Sequence, residues 1–177
     1  MMRRTARFLL AFAVALLLML CFRTWAFTIC TVDGEGLAPM LQSGDRVLVN
    51  RWTYGLRIGK PLGYGRIGKC QVQRGDLVAF YHPEQHDKVL ICQCKAVPGD
   101  TILHDDKLLI VPGRITCAAA DHYWMESIGQ QNMIDSHLLG FISEELIIGR
   151  ATTIIYSHNT REPFWRGWDS SRFLMPL

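Results

Sequence analysis

The chain divides into two textures of apolar and polar residues. From Phe8 to Phe22 every residue is apolar, with Arg3, Arg4 and Arg7 before the run and Arg23 after it. From Thr28 onward, short apolar stretches alternate with Gly, Pro and Asp punctuation at roughly ten-residue spacing, which reads as a body built of β-strands. Arg46–Asn50 reads as a strand after a turn at Ser43-Gly44-Asp45, and Asp76–Tyr81 as another, entered from Arg74-Gly75. Lys88–Cys94 is a third, closed by Val97-Pro98-Gly99-Asp100. Thr101–Leu103 and Lys107–Val111 form a hairpin around His104-Asp105-Asp106. Leu146–Tyr156 is a long apolar strand in which Gly149 marks a bulge. The Gly-rich, basic stretch Tyr54–Lys69 reads as a loop, and the end of the chain, with Trp165, Trp168 and Phe173, as a segment packed on the body.

As a helix the first apolar run rises only about 22 Å, short of a hydrocarbon core of ~30 Å. Carried on through Ile29 it spans, with Arg23 snorkelling and Trp25 near the interface. Three arginines before the run against one after it place the N-terminus in the cytoplasm and the body across the membrane. The expected organisation is a cytoplasmic 1–7, a transmembrane anchor 8–29 and an extracytoplasmic domain 30–177. A cleaved signal peptide is the competing reading, and the bulky Leu20-Cys21-Phe22-Arg23 end of the run lacks its small-x-small site. Met19 and Leu20 likewise disfavour a lipidated Cys21.

The length of 177 residues fits one domain. The net charge of +3 comes without a basic block interleaved with aromatics, so no nucleic-acid partner is expected. Six cysteines then face an oxidising compartment. Cys92 and Cys94 share one face of a strand. No C-x-x-C pair supports a metal site, and none is expected. One disulfide among Cys70, Cys92, Cys94 and Cys117 is the favoured arrangement, its pairing left open.

Four blocks occur in a telling order. The first is Val32-Asp33-Gly34-Glu35-Gly36-Leu37-Ala38-Pro39-Met40-Leu41, followed by Gly44-Asp45 and an apolar strand. The second is Arg74-Gly75-Asp76-Leu77-Val78-Ala79-Phe80, and the third Cys92-Gln93-Cys94-Lys95-Ala96-Val97-Pro98-Gly99-Asp100. The fourth runs from Asn132 through Asp135-Ser136-His137 and Gly140-Phe141-Ile142 to Ile148-Gly149-Arg150-Ala151. Together, from about Val32 to Tyr156, they resemble the bacterial type I signal peptidases, membrane proteases with a Ser/Lys dyad. The resemblance implies a mainly β fold, an antiparallel sheet body behind one N-terminal transmembrane helix, with no cofactor.

The departures from that family fall on its chemistry. Its serine hydroxyl attacks the peptide carbonyl, and a lysine kept neutral by desolvation takes the proton. Aligned on Pro39, the serine position is Gly36; aligned on Pro98-Gly99-Asp100, the lysine position is Cys92. Lys95 points to the opposite face of the strand, and Lys88 lies about 13 Å along it. Ser43 lacks an evident partner, and Cys92 as a substitute nucleophile lacks an evident histidine. Ser136 keeps the position whose hydroxyl, in the family, holds the lysine, and is expected here to satisfy a turn.

The expected function is therefore a catalytically inactive member of the signal-peptide-processing class. Extended, signal-peptide-like segments would lie along a groove of Asp33, Gly34, Glu35, Leu37, Pro39 and Ile91, because strand addition needs only main-chain groups. The lipid bilayer and an active signal peptidase paralogue are the other expected partners. The alternative is an active endopeptidase with a rearranged site that removes signal peptides from exported proteins.

Overall fold

The computed structural model describes residues 9–19, 26–32, 37–58, 65–68, 71–129, 134–158, 162 and 166–177. Residues 9–19 form helix α1, whose apolar side chains are exposed. The remainder is antiparallel β: β1 (Phe27–Thr31), β2 (Asp45–Asn50), β3 (Leu56–Ile58), β4 (Gly65–Ile67), β5 (Leu77–Tyr81), β6 (Val89–Ala96), β7 (Thr101–His104), β8 (Lys107–Ile110), β9 (His122–Glu126), β10 (Ile142–Ser143), β11 (Ile147–His158), β12 (Trp168–Asp169) and β13 (Met175–Pro176). A single-turn helix α2 (Ser136–Leu139) precedes β10. Among the described residues the main sheet runs β1-β2-β11-β5-β6-β9-β10, with β12 and β13 also on β11, while β3–β4 and β7–β8 are separate hairpins.

The central strands are buried on both faces. In β5, Val78 and Phe80 enter one apolar cluster with Cys92, Cys94, Tyr123, Met125, Ile142 and Ile147. Leu77 and Ala79 point the other way, into clusters built with Val47, Ala151 and Ile154, and with Val49 and Ile148. This follows from the alternation of side chains along a strand. The sheet therefore divides two apolar layers, and the expected strand at 76–81 is its middle.

Three turns of one design feed these strands: Gln42-Ser43-Gly44-Asp45, Gln73-Arg74-Gly75-Asp76 and Val97-Pro98-Gly99-Asp100. In each the glycine is left-handed, with φ of 97°, 90° and 89°, a conformation that glycine adopts without steric cost. The aspartate N–H donates to the carbonyl three residues back at 3.1, 3.2 and 3.0 Å. Its carboxylate accepts that residue's N–H at 2.9, 3.0 and 2.9 Å. Each carboxylate then meets an arginine from elsewhere: Asp45 with Arg172, Asp76 with Arg150, Asp100 with Arg74. Asp45 and Asp76 are buried, where an unpaired carboxylate would be expensive.

Several expectations need correction. The anchor expected over 8–29 overlaps β1, because Phe27, Thr28 and Ile29 pair with Asn50, Val49 and Leu48. No helix among the described residues is long and apolar enough to cross a membrane. The stretch 54–69, expected as a loop, contains the β3–β4 hairpin. Cys92, Cys94 and Cys117 form no disulfide, and Cys70 lies outside the described residues. Strand β9 was not expected at all.

The bulge expected at Gly149 is present, as a register shift between Ile147 and Gly149 against β5. On the other side β11 passes so close to β2 that a Cβ at Gly149 would lie 2.3 Å from the Asn50 carbonyl oxygen. Backbone on both sides leaves little room to relax. Gly149→Ala should lower stability by about 1–3 kcal/mol, as overpacking does, seen in urea unfolding as a lower midpoint with an unchanged slope.

Candidate functional site

Strand β6 carries the position at the centre of the site. Val89–Tyr81 and Cys92–Val78 are register pairs with β5, whereas β9 joins the other edge only from Gln93. Cys94 exchanges hydrogen bonds with residues 75 and 76 on the β5 side. Main-chain groups alternate sides along an antiparallel strand, so those of Cys92 and Leu90 also face β5. Those of Val89 and Ile91 face away, and among the described residues no strand pairs with them there.

Side chains follow the same parity. Cys92, 3% exposed, sits in the cluster with Val78, Tyr123, Met125 and Ile142, its Sγ 4.0 Å from the Ile134 carbonyl oxygen. Ile91 points to the opposite face and packs against the cluster that contains Leu37 and Leu41. The structure thus brings Leu37 and Ile91, two of the expected groove residues, to the same apolar cluster. Pro39 follows Leu37 in an exposed turn closed by the Leu41 N–H donating to the Leu37 carbonyl at 2.9 Å. Asp33, Gly34, Glu35 and Gly36 lie outside the described residues.

Opposite Cys92, helix α2 is fixed by its own side chains. Asp135 caps its start, accepting the His137 N–H at 3.0 Å, and also accepts the N–H and hydroxyl of Ser127 at 3.3 and 3.2 Å. The hydroxyl oxygen of Ser136, fully buried, accepts the Met125 N–H of β9 at 2.9 Å. The expected role was to satisfy a turn; the hydroxyl instead satisfies a strand amide of β9, while Asp135 caps the turn. His137 leaves the opposite side of the turn, 3.6 Å from Glu126 and within a ring cluster with His104 and Trp124. That aromatic cluster had no signal in the sequence, since its members come from β7, β9 and α2.

Burial pushes the Cys92 thiol up to about 12, helped by the negative charge of Asp135. Lys88 and Lys95 are exposed, as is Ser43. Among the described residues no lysine amine is hydrogen-bonded to Cys92, Asp135 or Ser136.

Comparison with known proteins places this arrangement. Residues 5–121 match the family model described as signal peptidase, peptidase S26. The chain is 28% identical over 153 residues to mitochondrial inner membrane protease subunit 2 of Mus musculus, covering 82% of this chain and 76% of that protein. The protein of the same name from Saccharomyces cerevisiae is 28% identical over 128 residues, 72% of this chain and 67% of its own length. Signal peptidase I of Pseudomonas aeruginosa is 29% identical over 106 residues, 59% of this chain but only 37% of that longer protein. The match takes in the apolar N-terminal run, the first three blocks and the body as far as residue 121, and the chain belongs to the signal peptidase, peptidase S26, family.

Proposed function

We propose that this chain is a membrane-anchored member of its family that does not cleave, and that it instead holds an extended, signal-peptide-like segment along the open edge of β6. The observation that carries the proposal is Cys92. A thiol raised to about 12 is protonated at neutral pH, so it offers neither the free amine that a lysine base supplies nor a thiolate nucleophile. Gly36, at the serine position, has no side chain at all.

Peptide binding needs neither residue. The N–H and C=O groups of Val89 and Ile91 offer a strand edge, and strand addition draws its affinity from such groups. The cluster that contains Leu37, with Ile91 packed against it, supplies an apolar floor beside that edge. The relatives from Mus musculus and Saccharomyces cerevisiae are named as protease subunits, which supports an active paralogue as a partner for this chain. An anchor drawn from residues 8–26, ending before β1, would rise about 28 Å if helical throughout, and the arginine bias puts the N-terminus in the cytoplasm.

The competing reading is an active endopeptidase with a rearranged site. It draws on family membership and on Asp135 and Ser136, which remain beside position 92. A cleavage assay separates the two, using a preprotein with an Ala-x-Ala site and the full chain in detergent. The native chain should be silent and Gly36→Ser with Cys92→Lys should cut, because the lysine would enter the same desolvating cluster. Cleavage by the native chain at that site would overturn the proposal.

The protonated state of Cys92 has its own test. A thiol raised in the folded state favours folding fully below its ordinary value of 9.0, and loses that contribution as pH rises toward about 12. At pH 8 iodoacetamide should therefore alkylate exposed Cys117 in the native chain and leave Cys92 unmodified until the protein is unfolded, as read by peptide mass mapping. Rapid native labelling at Cys92 would show a reachable thiolate.

A further inference from the structure

The segment 168–177 contributes to the site from outside the four blocks. After β12, a 3-10 turn at Ser170–Arg172 is capped by Asp169, whose carboxylate accepts the Ser171 N–H at 2.9 Å. The turn sends Arg172 inward, where it is 8% exposed. Its Nη2 donates to the Asp45 carboxylate at 2.7 Å and to the Met40 carbonyl at 2.7 Å, while Nε donates to the other Asp45 oxygen at 3.2 Å. Beyond it β13 pairs with Thr153 and Ile154 of β11. The Leu177 N–H donates to the Thr152 carbonyl at 3.0 Å, and its side chain packs against the cluster of Val32, Leu37 and Leu41.

The wall that begins at Leu37 is thereby held from three directions. Its local turn closes through Leu41 N–H to Leu37 carbonyl, and the Gly44 N–H donates to the Val32 carbonyl at 3.0 Å. Leu177 supports its apolar side chains from beneath. Arg172 fixes its main chain at Met40 and ties that point to the fully buried Asp45. Nη2 makes both bonds, and the planar fork fixes it there because Nε grips the second Asp45 oxygen at the same time.

We infer that Arg172 is a positioning residue for the peptide site: it sets the place of the 37–41 wall relative to Ile91 and so controls the fit of a bound extended segment. The inference rests on the peptide-binding function proposed above. Arg172 need not touch the peptide. It acts through Met40 and Asp45.

Two variants of the full chain in detergent test this. Arg172→Lys keeps a charge beside Asp45, but its ammonium stops short of the Nη2 position and gives up the two-point grip on Asp45 and the bond to Met40. Asp45→Asn with Arg172→Met removes both charges together, avoiding the lone buried carboxylate that could prevent folding. Binding of a labelled Ala-x-Ala peptide is read with amide exchange at Leu41 and Gly44, and with β5–β6 amides as the internal control. Both variants should weaken peptide binding about tenfold, the scale of losing one well-placed buried charged contact. They should also speed exchange at Leu41 and Gly44 with the control amides unchanged and the melting temperature of Arg172→Lys near native. Native-like peptide affinity in Arg172→Lys and in the double variant would overturn the inference while leaving the proposed function standing. If the native chain binds no peptide, the proposed function fails and the positioning role with it. Faster exchange at Leu41 and Gly44 would then mark Arg172 as a structural clamp only.

Discussion

Strand β6 is packed on both faces, paired with β5 along one edge and, among the described residues, with β9 along only part of the other, and the site takes its character from that. A side chain at position 92 must enter the cluster of Val78, Tyr123, Met125 and Ile142. Such a place favours the neutral form of any titratable group. An amine there would be driven toward the free base, and a thiol is driven toward the protonated form. The same surroundings that would make a lysine a base thus hold a cysteine as the neutral thiol. Because the thiol is small and neutral, it also fills the place without requiring a partner, so the catalytic position can change and the core remain closed.

The main chain of β6 is indifferent to that exchange. Whether residue 92 is lysine or cysteine, Val89 and Ile91 turn their hydrogen-bonding groups away from β5. On the proposed function, binding and catalysis would draw on different atoms of one strand, backbone at 89 and 91 and side chain at 92. A chain can lose the second without disturbing the first. That separability, rather than any single contact, is what makes a non-cleaving peptide binder a physically coherent descendant of the family.

Much of the fold was legible because its signals are local. The Gly-Asp turns announce themselves through residues three apart, and β2, β5, β6, the β7–β8 hairpin and the bulge at Gly149 follow from short apolar stretches between them. What escaped was either without contrast or distant. β9 is buried at Tyr123, Trp124 and Met125 in succession, so it lacks the alternation that marks a half-exposed strand. Phe27 and Ile29 continue the preceding apolar run, yet they belong to β1, and hydropathy alone cannot divide an apolar helix from an apolar edge strand. At the site, the burial of the position held by Cys92 followed from its block, whereas the bond of Ser136 to a strand amide of β9 did not. The partnership of Arg172 with Asp45 spans 127 positions, and nothing near either residue points to the other.

Asp135 and Ser136 have sufficient structural reasons of their own. Ser136 satisfies the Met125 N–H inside the core, and leaving that amide unpaired would cost about 1–3 kcal/mol. Asp135 holds the start of α2 and the Ser127 turn with the same carboxylate. Both would be kept by a chain that had no use for a lysine. Their presence beside Cys92 consequently carries little weight for an active site, whereas the combination of a side-chain-free Gly36 and a desolvated thiol at 92 bears directly on the chemistry. Retained residues speak for catalysis only where no structural role accounts for them, and in this site Ser136 and Asp135 each have one.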